Sequence, residues 1–207
     1  TGTQASLEFV GPDGERYQAQ LNLHTPGDHV ALDACGAWAA GIELGVEAQQ
    51  MADALGTFAG TGRRFEKRGE PRGVEVVDDY AHHPNELDPS IRSVRELYPD
   101  RKILGIFQPH LYSRTQDFYR EFAASLDQLD EVILLDIYPA RELPIPGVTS
   151  QMIADVMKHK DVLVLPKEGL LPELKKRQEL PEVILMVGAG DIDRLVPQVA
   201  DEIRRRL

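Results

Sequence analysis

The sequence predicts an α/β protein: an open, doubly wound, mostly parallel sheet, preceded by a smaller and incomplete unit. Three observations predict it. From about residue 74 onward, short apolar runs alternate five times with segments of helical period. The runs "KILGIF", "EVILLDI", "DVLVL" and "EVILMVG" are unbroken by polar alternation, as strands covered on both faces are. Polar clusters follow the runs directly, where loops at the carboxyl edge of such a sheet meet ligands.

Taken in order, Leu7–Val10 and Tyr17–Leu23 read as strands joined by the turn "GPDGE". Val30–Leu44 reads as a helix stopped by Gly45, and "EAQQMADALGTF" as a second. This opening unit is one-sided and looks like the end of a larger domain. The stretch "AGTGRRFEKRGEPRG" lacks sustained periodicity and reads as a linker with a short strand at Arg64–Lys67. Five strand–helix pairs follow. Strand Val74–Asp78 leads to helix Asn85–Leu97, Lys102–Phe107 to Ser113–Leu126, and Glu131–Ile137 to Ser150–His159. Strand Asp161–Leu165 leads to helix Leu170–Gln178, and Glu182–Val187 to Ile192–Arg206.

Composition narrows the function. A formal net charge of −11 over 207 residues argues against general nucleic-acid binding, which needs a basic surface. No apolar run approaches the ~20 residues of a membrane span, and the start "TGTQASLEFV" has no signal-peptide pattern. Without an initial methionine, the chain is expected to be processed or a piece of a longer one. Cys35 is the single cysteine, so no internal disulfide forms and a reducing cytoplasm is expected. It falls within a helix and reads as a small core residue. The basic tail "DEIRRRL" suits a helix C-terminus.

Four polar loops are expected to converge on one sheet edge: "DDYAHH", "QPHLYSR", "YPARELPIPG" and "GAGDID". In the first, Asp78, Asp79, Tyr80, His82 and His83 allow three readings: a metal site, a polar substrate-binding edge, or plain helix capping by the residues before Pro84. Adjacent histidines in a loop point apart and no third ligand is spaced for a metal, so no metal site is expected. In the second, Arg114 near a helix start offers a guanidinium and free N–H groups to a carboxylate or phosphate, with His110 and Tyr112 beside it. "GAGDID" resembles part of a dinucleotide fingerprint but lacks the third glycine and follows the last strand, so a tight packing turn is the better reading. The sequence contains no GxxxxGK[ST], GxSxG or HExxH pattern.

The strings "GRRFEKRG", "VDDYAHHPNEL", "FQPHLYSRT", "DIYPARELPIPGVTS" and "VGAGDID", in that order, resemble the C-terminal part of bacterial Mur ligases, from about Leu21 to the end. The resemblance implies that residues 1–62 end a P-loop ATPase-type central domain and that residues 63–207 form a Rossmann-like C-terminal domain. It implies an N-terminal UDP-sugar domain and a P-loop elsewhere in a longer chain, and no activity for this piece alone. The implied chemistry is peptidoglycan precursor synthesis: ATP with Mg2+, held mainly by the missing domain, phosphorylates the carboxylate of UDP-N-acetylmuramate, and L-alanine attacks the acyl phosphate. Carried over by position, Arg64 approaches the ATP phosphates and Asp79 the nucleotide ribose. Tyr80, His82, His110 and Arg114 receive L-alanine and face the acyl phosphate, with Arg64, Asp79 and His82 the catalytic set. His29 and Asp33, in "GDHVALD", lie where the family contacts adenine.

Three residues depart from the family pattern. Leu111 stands where an arginine is common, and Val30 and Asp33 where asparagines are. Ionised Asp33 only accepts hydrogen bonds, whereas asparagine also donates to an adenine edge. A non-catalytic module binding a nucleotide or muramyl precursor, and the related ligase that attaches a murein tripeptide, remain open alternatives. An oxidoreductase is disfavoured by the place of "GAGDID".

Overall fold

The computed structural model describes residues 2–12, 14–159 and 161–205. It divides into two units, Thr1–Thr61 and Gly62–Leu207.

In the first unit, β1 (Thr3–Val10) and β2 (Arg16–Leu23) pair antiparallel, with Leu7 opposite Ala19. The turn between them closes through Gly11 N–H donating to the Glu15 carbonyl, while Asp13 of the expected turn lies outside the described residues. Helices α1 (Asp28–Glu43) and α2 (Ala48–Gly56) follow. Leu7, Leu21, Trp38 and Ala52 form the buried centre, and Trp38 satisfies its indole N–H on the Ala48 carbonyl at 2.8 Å. Cys35 is half-buried against this centre with a free thiol. Gly45 ends α1 at φ +87°, the left-handed conformation glycine adopts at no steric cost.

The second unit is a six-stranded sheet. In chain order the strands are β3 (Glu66–Lys67), β4 (Glu75–Asp79), β5 (Ile103–Phe107), β6 (Glu131–Leu135), β7 (Val162–Leu165) and β8 (Val183–Val187). Their spatial order is β3-β4-β8-β5-β6-β7, parallel throughout except for the antiparallel edge strand β3. The helices are α3 (Pro84–Leu97), α4 (Tyr112–Leu126), α5 (Gln151–Val156), α6 (Leu170–Lys176) and α7 (Val196–Arg205).

Strand alternation divides the core in two. Val77, Ile103, Phe107, Val132, Leu134, Val183, Leu185 and Val187 meet Leu87, Ile91 and Val94 of α3, Phe122 and Leu126 of α4, and Ile153 of α5. Val76, Leu104, Ile106, Ile133, Leu135, Ile184 and Met186 meet Leu170 and Leu174 of α6, and Val196, Val199 and Ile203 of α7. Both faces are therefore covered, which is why these strands read as continuous apolar runs. Gly105 faces Leu129, whose Cδ1 would lie 2.4 Å from an added Cβ, so any larger residue would make that leucine shift.

Several expected elements are shorter. The edge strand keeps only Glu66–Lys67, because Arg63 and Phe65 take positive φ values of 61° and 49°. Strand β6 stops at Leu135 rather than Ile137. Helix α5 ends at Val156 instead of His159: Met157 is extended, and the N–H groups of Lys158 and His159 turn to the Asp127 carboxylate. The expected helix Ile192–Arg206 breaks into a 3-10 turn at Asp191–Arg194 and α7 from Val196. Pro197 lacks an N–H and fits a first turn, so a new helix begins around it. Arg204 of the basic tail pairs with Asp201 at 2.6 Å, while Arg206 and Leu207 lie outside the described residues.

Candidate functional site

Parallel strands β4, β5, β6 and β8 all end at one edge, so the loops after them gather there. Backbone bonds lock them together. Gly188 N–H donates to the Asp79 carbonyl and Gln108 N–H to Val187, while Leu111 N–H donates to Tyr138 and Tyr138 N–H to Pro109. Gln108 adds side-chain bonds to the last loop, donating from Nε2 to Asp191 Oδ1 and accepting from Ile192 N–H. Lys167, after β7, pairs with the other oxygen of Asp191.

Rings from three loops form a ladder across this edge. Tyr80 meets His82 at 5.2 Å between centroids, His82 meets His110 at 5.8 Å, and His110 stacks on Tyr138 at 5.6 Å and 23°. The linker supplies cations at one end: the guanidinium carbons of Arg63 and Arg64 lie 5.0 and 5.2 Å from the Tyr80 ring centroid.

The two arginines do different work. Arg63 turns inward, donating to the carbonyls of Gly188 (2.7 Å) and Gly190 (3.3 Å) and pairing with Asp193 at 3.5 Å. Arg64 keeps a side chain 53% exposed, with Glu86 at 3.8 Å as a loose partner, so its charge is open to an anion. Sequence reasoning singled out Arg64 and missed Arg63. Both sit in one basic string, and only the positive φ of Arg63 and Phe65 decides which one points inward.

Asp79 is 7% exposed and holds the linker to the first loop, accepting from Phe65 N–H at 2.9 Å and Ala81 N–H at 2.7 Å. Burial pushes its carboxyl pKa upward against the pull of those two donors. Each oxygen retains a further acceptor site. Asp78 is fully buried on the opposite face and pairs with Arg68 at 3.1 Å.

The adjacent histidines do point apart. His83 caps α3, its Nδ1 accepting from Asn85 N–H at 3.3 Å, and its ring packs on Phe118 at 4.7 Å. His82 turns to Tyr80, Glu86 and His110. Capping and a polar edge are thus both present in one string. Among the described residues no group of three His, Cys, Asp or Glu side chains could hold a metal ion.

Arg114 lies in the first turn of α4, its Nη1 3.4 Å from His110 Nδ1. Burial and the Arg114 charge lower the His110 pKa, which favours its neutral imidazole. One of the N–H groups expected to receive an anion at the start of α4 is already engaged by a side chain. Ser113 donates its N–H to Glu142 Oε2 at 2.9 Å and its hydroxyl to Oε1. An incoming carboxylate therefore meets the Arg114 side chain rather than the helix end.

Backbone strain concentrates along this edge. Arg63, Phe65, Leu111 (φ +74°) and Ala140 (φ +51°) all have positive φ without being glycine. Gly190 is a close-approach glycine, since an added Cβ would lie 2.5 Å from Gln108 Oε1 and 2.7 Å from the Tyr138 ring. "GAGDID" is thus a packing turn, as its place after the last strand indicates. His29 and Asp33 belong to the first unit, on the opening turns of α1, half-buried and exposed respectively. The other six candidates, Arg64, Asp79, Tyr80, His82, His110 and Arg114, come together at the sheet edge of the second unit.

Comparison with known proteins agrees with this architecture. Residues 63–193 match the family model "Mur ligase, glutamate ligase domain". The chain is 50% identical over 186 residues to a UDP-N-acetylmuramate–L-alanine ligase of Porphyromonas gingivalis, covering 89% of this chain and 40% of that protein. It is 42% identical over 202 residues to the same-named ligase of Renibacterium salmoninarum, covering 98% and 43%. The crystal structure of the UDP-N-acetylmuramate–alanine ligase from Thermotoga maritima superposes with a TM-score of 0.71 at 30% identity, over 97% of this chain and 44% of that one. A murein peptide ligase from Psychrobacter arcticus, 21% identical, shares the fold with a TM-score of 0.72, over all of this chain and 43% of that one. The chain thus spans about 40% of the length of the curated relatives it matches. With the family model covering well over half of its residues, the chain belongs to the Mur ligase family.

Proposed function

We propose that this chain is the amino-acid-receiving part of an ATP-dependent ligase that joins L-alanine to the carboxylate of UDP-N-acetylmuramate through an acyl phosphate. Residues 1–62 then close a central ATP-binding domain, and residues 63–207 form the C-terminal Rossmann-like domain of a cytoplasmic enzyme. The observation that carries the reading is the edge where Arg114, His110 and His82 stand together beside the open cation of Arg64. An amino-acid carboxylate needs a fixed guanidinium, and Arg114 presents one next to the His110 imidazole. An acyl phosphate needs positive charge as the phosphoryl group transfers and leaves, and Arg64 offers it. Asp79, buried and already bonded to the backbone on both oxygens, acts first by holding Phe65 and hence Arg64 in place, with acceptor capacity left for a ribose hydroxyl.

The residues fit a nucleotide phosphate through Arg64, but the described residues supply no ligand set for Mg2+, so no step here is routed through the metal. When bound in the longer protein, MgATP supplies the phosphoryl group. His29 and Asp33 are the adenine-side residues of this reading, and Asp33 serves only as an acceptor.

The test is phosphate release and product formation from MgATP, UDP-N-acetylmuramate and L-alanine, by this chain alone and by the parent protein. The expected result is silence from the chain alone and alanine-dependent turnover by the parent. Turnover with a murein tripeptide instead would identify the tripeptide ligase. Nucleotide or muramyl-precursor binding without turnover by the parent would identify a binding module.

A further inference from the structure

At the start of α3, Glu86 Oε2 is a point of convergence. It accepts from the backbone N–H of His82 at 3.0 Å and of His83 at 3.2 Å, and lies 3.1 Å from His82 Nδ1. The same Nδ1 stands 3.0 Å from the Tyr80 carbonyl oxygen. A carbonyl and a carboxylate can only accept, so Nδ1 carries the hydrogen. In the neutral ring the lone pair is therefore on Nε2, which makes no hydrogen bond among the described residues.

His110 is in the opposite state. Its Nδ1 faces Arg114 Nη1, which can only donate, so its Nδ1 lone pair is already spent. Two imidazoles 5.8 Å apart thus hold complementary tautomers, and only that of His82 leaves a basic nitrogen free.

We propose that His82 Nε2 is the proton acceptor for the ammonium group of the amino acid whose carboxylate Arg114 holds, and that Glu86 is the positioning residue that fixes the tautomer and stabilises the imidazolium formed. The proposal rests on the ligase reading above. Nε2 takes one proton, and the N–H bonding pair becomes the lone pair of the amine. The amine forms a C–N bond to the acyl carbon, the C–O bond to phosphate breaks, and phosphate departs with that electron pair. The second nitrogen proton leaves with the phosphate, and His82 returns its proton to solvent. The carboxylate–imidazole pairing follows the logic of a base oriented by an acid residue behind it. The charged and titratable groups around His82 are Glu86 on α3, Tyr80 in its own loop, Arg64 from the linker, and His110 and Arg114 from the next loop.

The parent protein tests the chemistry with two nucleophiles, L-alanine and hydroxylamine. Hydroxylamine is already neutral at assay pH and traps the acyl phosphate without needing a base. In His82→Asn the ratio of alanine product to hydroxamate is expected to fall about 100-fold. Glu86→Gln retains a capping side chain but loses the charge; its alanine kcat is expected to fall at least about tenfold with KM for the UDP-sugar unchanged. An unchanged product ratio in His82→Asn overturns the proposal, as does equal loss with both nucleophiles. A wild-type parent inert towards alanine would instead overturn the ligase reading. The tautomer is read independently on this chain by long-range 1H–15N correlation of labelled imidazoles, where a neutral His82 protonated on Nε2 would overturn the assignment.

Discussion

Ser113 and Glu142 are joined twice, backbone N–H to Oε2 at 2.9 Å and hydroxyl to Oε1, so the loop after β6 plugs the first turn of α4. These donors hold the Glu142 carboxyl below its usual pKa. A carboxylate whose folded pKa lies below its unfolded value adds stability above the unfolded value, and loses it as pH falls through the folded one. Glu142→Gln is therefore expected to lower Tm near neutral pH and to converge with wild type in acid, below the ordinary glutamate range. Tm measured against pH checks this, and a difference that persists at the acid end would count against it.

Arg63 and Arg64 make a matched pair for mutagenesis. Arg63→Ala removes bonds to Gly188, Gly190 and Asp193, with a side chain only 22% exposed, and is expected to cost about 2 kcal/mol in urea unfolding. Arg64→Ala, exposed and loosely paired, is expected to cost about 0.5 kcal/mol or less while abolishing most parent turnover. Equal destabilisation by the two would contradict their assignment to inward and outward positions.

Gly190→Ala tests the packing turn. Its φ of −81° is open to any residue, so the cost is purely steric, against Gln108 and Tyr138. Overpacking of this kind is expected to cost about 1–3 kcal/mol. The displaced Tyr138 would also shift His110, visible as altered imidazole chemical shifts.

Removing the Arg114 charge is expected to raise the His110 pKa, because that charge and burial together depress it. Imidazole titration of Arg114→Met by NMR reads the shift directly. An unchanged value would mean that the Arg114 charge does not contribute to the shift. A histidine with a depressed folded pKa destabilises on the acid side, since the unfolded chain takes up the proton first. The variant is accordingly expected to lose less stability than wild type as pH falls from 7 towards 5, near the ordinary histidine range.

The sheet was legible because its strands are covered on both faces, and Val183–Val187 could be read from apolar content alone. Its strand order was not legible, since nothing within that run says that it inserts between β4 and β5. The convergence of His82, His110 and Arg114 followed from placing each at the carboxyl end of a parallel strand. What periodicity could not reveal were contacts set by single backbone angles or distant carboxylates. Glu142 lies 29 positions from Ser113, and Arg63 faces inward through a left-handed backbone. Nor could periodicity reveal that Glu86 caps α3 and meets His82 through the same oxygen.

Strand order also has a consequence for how the chain is made. β8 comes last in chain order of the six strands, yet it is the one that bridges β4 and β5. Until Val183–Val187 leaves the ribosome, β4 has no parallel partner, and β5–β6–β7 exposes an open apolar edge. The edge where the loops gather is therefore completed after most of the domain has been synthesised. Any truncation before Val187 removes the central staple of the sheet as well as helix α7, and leaves two half-sheets prone to pairing with other chains. Slow, late folding governed by distant contacts is built into this topology.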